Sequence, residues 1–269
     1  MYLDFFGLKE LPFNITPDPR FLFYSEQHRQ AFDHMVYGIE NRKGFIELTG
    51  EVGSGKTTLC RAVLSNLPKR IKTALVLNPA LSGNQLLRAI LNDFGLPVAD
   101  KDRLSCIEQL NSFLLEKTLQ GNNVAVIIDE AQDLPASVME EVRLLSNLET
   151  DQHKLIQIVL AGQPELRERL QRPELRQLRQ RIMVRCTLHP LSEEDTAQYI
   201  RHRLQVAGAG ADVRFSADAI RIVYEYAKGT PRMVNALCDR VMMAGYVARR
   251  RVLGAEEAQR ALKDMEDDG

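Results

Sequence analysis

The stretch Gly50-Glu51-Val52-Gly53-Ser54-Gly55-Lys56-Thr57 lies between an apolar run, Phe45-Ile46-Glu47-Leu48, and a segment carrying Leu59, Ala62, Val63 and Leu64. Glycine weakens both helices and strands, so glycines gathered where a strand hands over to a helix imply a loop with its own purpose. The spacing fits G-x-x-x-x-G-K-[ST] in the strand–loop–helix context that this pattern requires. Such a loop turns its backbone N–H groups inward around a phosphate. A helix beginning near Lys56 adds the positive end of its dipole. Lys56 is then expected at the β- and γ-phosphates of a nucleotide and the Thr57 hydroxyl at Mg²⁺, with Thr58 completing the cradle. This arrangement demands an open α/β sheet.

The rest of the chain supplies one. Thr73 to Leu77, Val124 to Ile128, Leu155 to Leu160 and Ile182 to Leu188 read as further strands, and Asn84 to Phe94 and Leu104 to Leu119 have helical periodicity. The run Val124-Ala125-Val126-Ile127-Ile128 has no polar alternation, as expected of a strand covered on both faces. Strands separated by helices predict a parallel sheet with helices on both sides. Beyond His189-Pro190 the pattern becomes helical. Ser192-Glu193-Glu194-Asp195 and Ser216-Ala217-Asp218 are helix starts, and no strand is expected there. The chain therefore divides into a nucleotide-binding core, residues 1–189, and an all-helical lid, residues 190–269. The core includes an opening segment in which Pro12, Pro17 and Pro19 alternate with aromatics and which the rings pin to a surface. From Glu26 to Asn41 an amphipathic helix leads into the first strand.

A second constellation is independent of the glycine-rich loop. The buried strand ends in Asp129-Glu130, two carboxylates at the strand's C-terminal end, where ligands of open α/β sheets bind. Asp129 is expected to hold the metal, and Glu130 to orient and polarise water for hydrolysis. After the next strand, Gln163 is placed to touch the γ-phosphate or that water. Arginines crowd the following segment. Arg167, Arg169 and Arg172 are expected on a solvated helical face, while Arg179 and Arg181 are candidates to reach a neighbouring subunit's nucleotide. Gly229-Thr230-Pro231-Arg232 opens a helix with Pro231 in its first turn. From there Arg232 could report on the phosphates. Pro12 and Phe13 together with Pro231 are the expected adenine contacts.

Composition narrows the partners. The 269 residues carry a formal charge of −1, which argues against a generally basic nucleic-acid coat. Cys60, Cys106, Cys186 and Cys238 form no C-x-x-C pair and predict buried thiols rather than zinc or disulfides. No window approaches the ~18 apolar residues of a membrane span, and no signal segment opens the chain. A cytoplasmic protein is expected.

With these motifs in view, the loop Gly50 to Thr57, the Asp129-Glu130 pair, Gln163 in GQPEL and the GTPR of Gly229 to Arg232 resemble the AAA+ ATPases. The opening FFGLKELPFNITPDPRFLFYSEQHRQAF and the stretch from Ile200 to Gly208 narrow the resemblance to the ExeA, or general secretion pathway protein A, ATPases. It runs from Tyr2 to Ala261. The resemblance implies a P-loop core whose five parallel strands are ordered 5-1-4-3-2, a helical lid, and Mg·ATP at a subunit interface. It also implies a homo-oligomer formed on ATP binding and a role in assembling an envelope secretion or export system with a protein partner. Longer members carry a membrane helix and a peptidoglycan-binding domain. A chain ending at Gly269 is expected to be a shortened or stand-alone relative, associated with the membrane through partners or a missing C-terminal region.

The same module is similar to DNA-binding transposition regulators that assemble with ATP. Arg249-Arg250-Arg251 and the arginines of 167–185 could serve that alternative. A small-molecule kinase would use the same loop but must exclude the water that Glu130 would activate.

Overall fold

The computed structural model describes residues 2–77, 80–98, 102–150 and 153–267. In chain order the elements are α1 (Tyr2–Phe6), α2 (Glu26–Glu40), β1 (Phe45–Gly50), α3 (Lys56–Asn66), β2 (Ile71–Val76), α4 (Gly83–Asp93), α5 (Arg103–Leu119), β3 (Asn123–Ile128), α6 (Ala136–Leu145) and β4 (Gln157–Gly162). There follow α7 (Pro164–Leu170), α8 (Arg176–Arg181), β5 (Ile182–Leu188), α9 (Glu193–Val206), β6 (Arg214–Phe215), α10 (Ala217–Ala227), α11 (Pro231–Val247), β7 (Val252–Leu253) and α12 (Ala255–Asp267). The chain forms two compact units, one of residues 27–52 and 59–188, the other of 1–26, 53–58 and 189–269.

The first unit is built on a five-stranded parallel sheet in the order β2-β3-β4-β1-β5. This is the expected 5-1-4-3-2 order read from the other edge. Every residue of β1, β3 and β4 is buried, which is why their sequences are almost unbroken apolar runs. The edge strands β2 and β5 mix buried with exposed positions. Alternate side chains serve opposite faces. Phe45, Val126, Ile128, Ile158 and Leu160 join side chains of α4 to α8 in one apolar core. On the other face Ile46 sits against Gly38 of α2, where even a Cβ would come within 2.7 Å of its Cδ1. Two boundaries differ from the sequence expectation. β2 and β4 run Ile71–Val76 and Gln157–Gly162, because register with the neighbouring strands, rather than apolar content, sets where pairing begins and stops.

The second unit is helical, with α9 to α12 packed around Val223, Val234, Leu237 and Val241. Ser192 and Ser216 cap α9 and α10 as expected, accepting from the N–H groups of Asp195 at 3.0 Å and Ala219 at 3.2 Å. Pro231 occupies the first turn of α11. Contrary to expectation this region is not purely helical. β6 and β7 form a two-residue parallel pair, too short to leave a periodic signal in sequence. The opening segment, grouped above with the sheet, packs into this unit instead: Phe6, Leu8, Phe13 and Phe21 share its core. Arg203 secures the segment by donating to the carbonyls of Pro12 and Asn14, groups that irregular backbone would otherwise bury unpaired.

Candidate functional site

Parallel strands deliver all their C-terminal ends to one edge of the sheet. Thr49 of β1 pairs with Gly162 of β4, and Leu160 of β4 pairs with Ile128 of β3. The residues that follow these three adjacent strands are Gly50 and its loop, Gln163, and Asp129-Glu130. The loop's conformation is that of a cradle. Gly53 and Gly55 have φ of +77° and +98°, values open to glycine and strained for other residues. α3 starts at Lys56, as expected, with Thr57 its second residue and Thr58 its third. Lys56 is 5% exposed and Ser54 4%, while Glu51 and Val52 face solvent. Within the second unit Gly53 O accepts the N–H of Arg232 at 3.2 Å. The Arg232 side chain itself is exposed.

Asp129 is 2% exposed, and its N–H donates to Val76 O at 2.9 Å, continuing the β2–β3 ladder one residue past the strand. Glu130 then turns sharply away, with φ +51°. A non-glycine residue held there costs about 1–3 kcal/mol and persists only where its surroundings impose it. Its carboxylate accepts from Gln132 Nε2 at 2.9 Å and from Gln163 Nε2 at 3.4 Å. The structure thus brings Glu130 and Gln163 together. Gln132, which sequence reasoning passed over, binds both: its Oε1 also accepts the backbone N–H of Gln163 at 3.0 Å. Its place in the Asp-Glu-Ala-Gln run was the only available signal.

The arginines are placed differently from expectation. The Arg167 side chain is partly exposed but is held by internal partners rather than by water alone. Its Nε donates to Glu47 Oε1 at 3.0 Å, and its Nη2 to the hydroxyls of Thr49 at 3.2 Å and Thr187 at 2.8 Å. Glu47, on β1, is 2% exposed and also pairs with Arg185 at 3.3 Å. A buried carboxylate needs such partners, and it takes one arginine from α7 and one from β5. Arg169 likewise turns inward, donating to the carbonyls of Gln132 and Leu134. Arg172 is exposed, as expected. Arg181 is tied to the end of α6, through Ser146 Oγ and through Asn147 Oδ1 at 2.6 Å. Arg179 donates to Gln171 O at 3.4 Å on the exposed surface.

The remaining candidates lie in the second unit. Phe13 is buried with its ring edge-on to Phe215 at 5.9 Å, Pro12 is buried beside it in sequence, and Pro231 is half-buried. All four cysteines are buried, as expected. Burial, with Glu47 nearby, pushes the Cys186 thiol up to about 11, which keeps it protonated and unreactive at neutral pH.

The donor set suits Mg²⁺ bound with a nucleotide. One buried carboxylate and one hydroxyl are what a small hard cation needs from protein when phosphate oxygens and water fill its other positions. Among the described residues no group of three or more His, Cys, Asp or Glu could hold a metal by itself. No helix among them is long and apolar enough to cross a membrane.

Residues 39–170 match the model of the AAA domain. Solved structures with the same fold include Drosophila ORC bound to DNA, which is 18% identical with a TM-score of 0.70 over 94% of this chain and 64% of that one. Pyrobaculum aerophilum Cdc6p is 14% identical, with a TM-score of 0.69 over 97% of this chain and 70% of its own. Thermotoga maritima RuvB, a Holliday junction branch migration motor, is 19% identical, with a TM-score of 0.60 over 89% and 69%. At these identities the likeness is one of fold. In sequence the chain is 46% identical over 248 residues to general secretion pathway protein A of Aeromonas hydrophila. The match takes in 91% of this chain and 45% of that protein, so the chain spans less than half of its relative's length. Fold, loop and sequence likeness agree: over 91% of its length the chain is similar to general secretion pathway protein A, and residues 39–170 carry an AAA domain.

Proposed function

We propose that the chain hydrolyses ATP in a Mg²⁺-dependent reaction and uses the nucleotide to assemble part of an envelope secretion or export system. The observation that carries the hydrolytic reading is Glu130. A carboxylate held by two side-chain amides stands at the sheet edge from which the glycine-rich loop departs. The backbone N–H groups of Gly50 to Gly55 and the ammonium of Lys56 bind the phosphates, and Thr57 and Asp129 hold the metal, with Thr58 and the start of α3 beneath. Bound there, Mg²⁺ would neutralise charge on the phosphate oxygens. Glu130 accepts a proton from water as it attacks the γ-phosphorus and the bond from that phosphorus to the departing ADP oxygen breaks, and Gln163 orients that water. Arg232, bonded through its backbone to Gly53, senses the terminal phosphate. Of the expected adenine contacts, half-buried Pro231 is accessible to the base, whereas Pro12 and Phe13 are buried within their unit.

ATP binding is expected to bring copies of the chain together. Of the two arginines considered for contact across that interface, Arg179 is the better candidate, because Arg181 is held at the end of α6. The secretion role follows the name of the Aeromonas relative. It stands above the DNA-binding alternative because four of the arginines that could form a basic stripe have carboxylate partners within the chain: Arg167 and Arg185 pair with Glu47, Arg250 with Glu256 and Glu257, and Arg251 with Asp212.

Phosphate release from Mg·ATP without an added acceptor tests the central claim and separates it from a kinase. Glu130→Gln is expected to bind ATP and not turn it over, whereas Lys56→Ala loses binding. Full turnover by Glu130→Gln would remove the proposed base.

A further inference from the structure

We infer that Gln132 is a positioning residue that holds the Glu130 carboxylate and couples it to the start of α7. The inference rests on the reading of Glu130 as the water-activating group. Three observations point to it. First, the orientation of the Gln132 amide is determined by its partners. The Gln163 N–H can only donate, so it takes Oε1 at 3.0 Å, which leaves Nε2 for Glu130 Oε2 at 2.9 Å. Second, space is reserved for this side chain. A Cβ on Gly162 would lie 2.7 Å from Gln132 Oε1 and 3.0 Å from Leu166 Cδ2, so β4 ends in the residue that lets the amide in. Third, the backbone around Gln132 is gripped by the same helix, since Arg169 of α7 donates to Gln132 O and, at 2.6 Å, to Leu134 O.

Glu130 leaves β3 in a left-handed conformation and has no covalent constraint on where its carboxylate points. Gln132 supplies a hydrogen-bonded one, shorter than that from Gln163. α7 is in turn anchored at its middle by Arg167 to Glu47 and Thr49 of β1, the strand that leads into the glycine-rich loop. Strand β1, helix α7, Gln132 and Glu130 therefore form one hydrogen-bonded chain. A displacement of α7 moves the carboxylate, and misplacing a catalytic group by about 1 Å can cost roughly 100-fold in rate.

Two substitutions separate this role from mere support of α7. Gln132→Glu retains an oxygen for the Gln163 N–H but loses the donor to Glu130 and sets a like charge beside it. Gln132→Met loses both bonds. Steady-state hydrolysis should show kcat down by about 10- to 100-fold in both variants, with KM and the affinity for a fluorescent ADP analogue within about 3-fold of wild type, since neither bond concerns the phosphate cradle. In a Glu130→Gln background either change should cost nothing further. Wild-type turnover by Gln132→Glu would overturn the inference and reduce Gln132 to a support for α7. A loss confined to nucleotide affinity would overturn it as well.

A second measurement does not depend on turnover. In ¹⁵N spectra of the full chain, Glu130→Ala should shift the Gln132 side-chain amide and, through it, the Gln163 backbone amide. Unmoved resonances would refute the coupling. No turnover by the wild-type chain would instead refute the hydrolytic reading, with the spectra still deciding the coupling.

Discussion

The two units solve the burial problem with different side chains. In the sheet unit the core is aliphatic, with Val124, Val126, Ile128, Ile158 and Leu160 facing Leu86, Ile90, Leu110 and Val142. In the helical unit aromatics do much of the work, and several come from residues 1–26: Phe6, Phe13 and Phe21 are buried, and Phe5 and Phe23 are packed against them. Strands satisfy their own backbone groups in the ladder, so their side chains need only fill space. The opening segment has just a five-residue helix and a short 3-10 turn. It must be held by large rings and by donors from elsewhere, such as Arg203 to Pro12 and Asn14 and Arg251 to Phe5 O at 2.6 Å. The polar groups differ in the same way. In the sheet unit Glu47, Thr49 and Asp129 are buried in or just after strands that lead to the proposed chemistry, and Arg203 in the helical unit serves cohesion.

That division can be broken from either side. Glu130→Gln should have the largest effect, a loss of about 10²- to 10⁴-fold in kcat, equivalent to roughly 3–5 kcal/mol on the barrier. Its unfolding midpoint in urea should not move. A matching fall in stability would mean that the carboxylate is structural.

Arg203→Ala should do the reverse. It leaves two carbonyls and the Tyr199 hydroxyl without their donor and removes the guanidinium from the Phe21 ring, 4.6 Å away. The expected cost is about 3 kcal/mol. Hydrogen exchange should locate it in residues 2–26 and the helices of 189–267, with the sheet strands still protected.

Arg167→Ala tests a charge inside the sheet unit. Glu47 keeps Arg185, so the expected loss is about 1–2 kcal/mol by chemical denaturation. Arg103→Ala makes the contrast. Arg103 pairs bidentately with Glu141 at 2.9 and 2.8 Å, and that carboxylate is 21% exposed against 2% for Glu47. Its removal should cost about 0.5 kcal/mol. Equal losses in these two variants would show that burial of Glu47 does not govern the strength of its pairing.

Much of this molecule was legible from local patterns. Three buried strands announced themselves as apolar runs, and Ser192, Ser216 and Pro231 marked helix starts because a cap acts within one turn. The glycine-rich loop and the Asp129-Glu130 pair could be put at one edge because parallel strands share a direction. Arg167 and Arg169 were misjudged because a helical arginine looks the same in sequence whether it meets water or a buried carboxylate. Gln132 had only its place two residues after Glu130 to mark it.

Sequence alone therefore determined the elements, the loop and the residue types at the strand ends, since each of these depends on neighbours a few positions away. Tertiary structure decided the partners. Gln163 meets Gln132 across 31 positions, Arg167 meets Glu47 across 120, and Arg203 meets Pro12 across 191. Such bonds form only after strand order and helix packing have brought distant segments together. No local spacing encodes them, because they offset the cost of burying groups that water would otherwise satisfy, and which groups are buried depends on the packing.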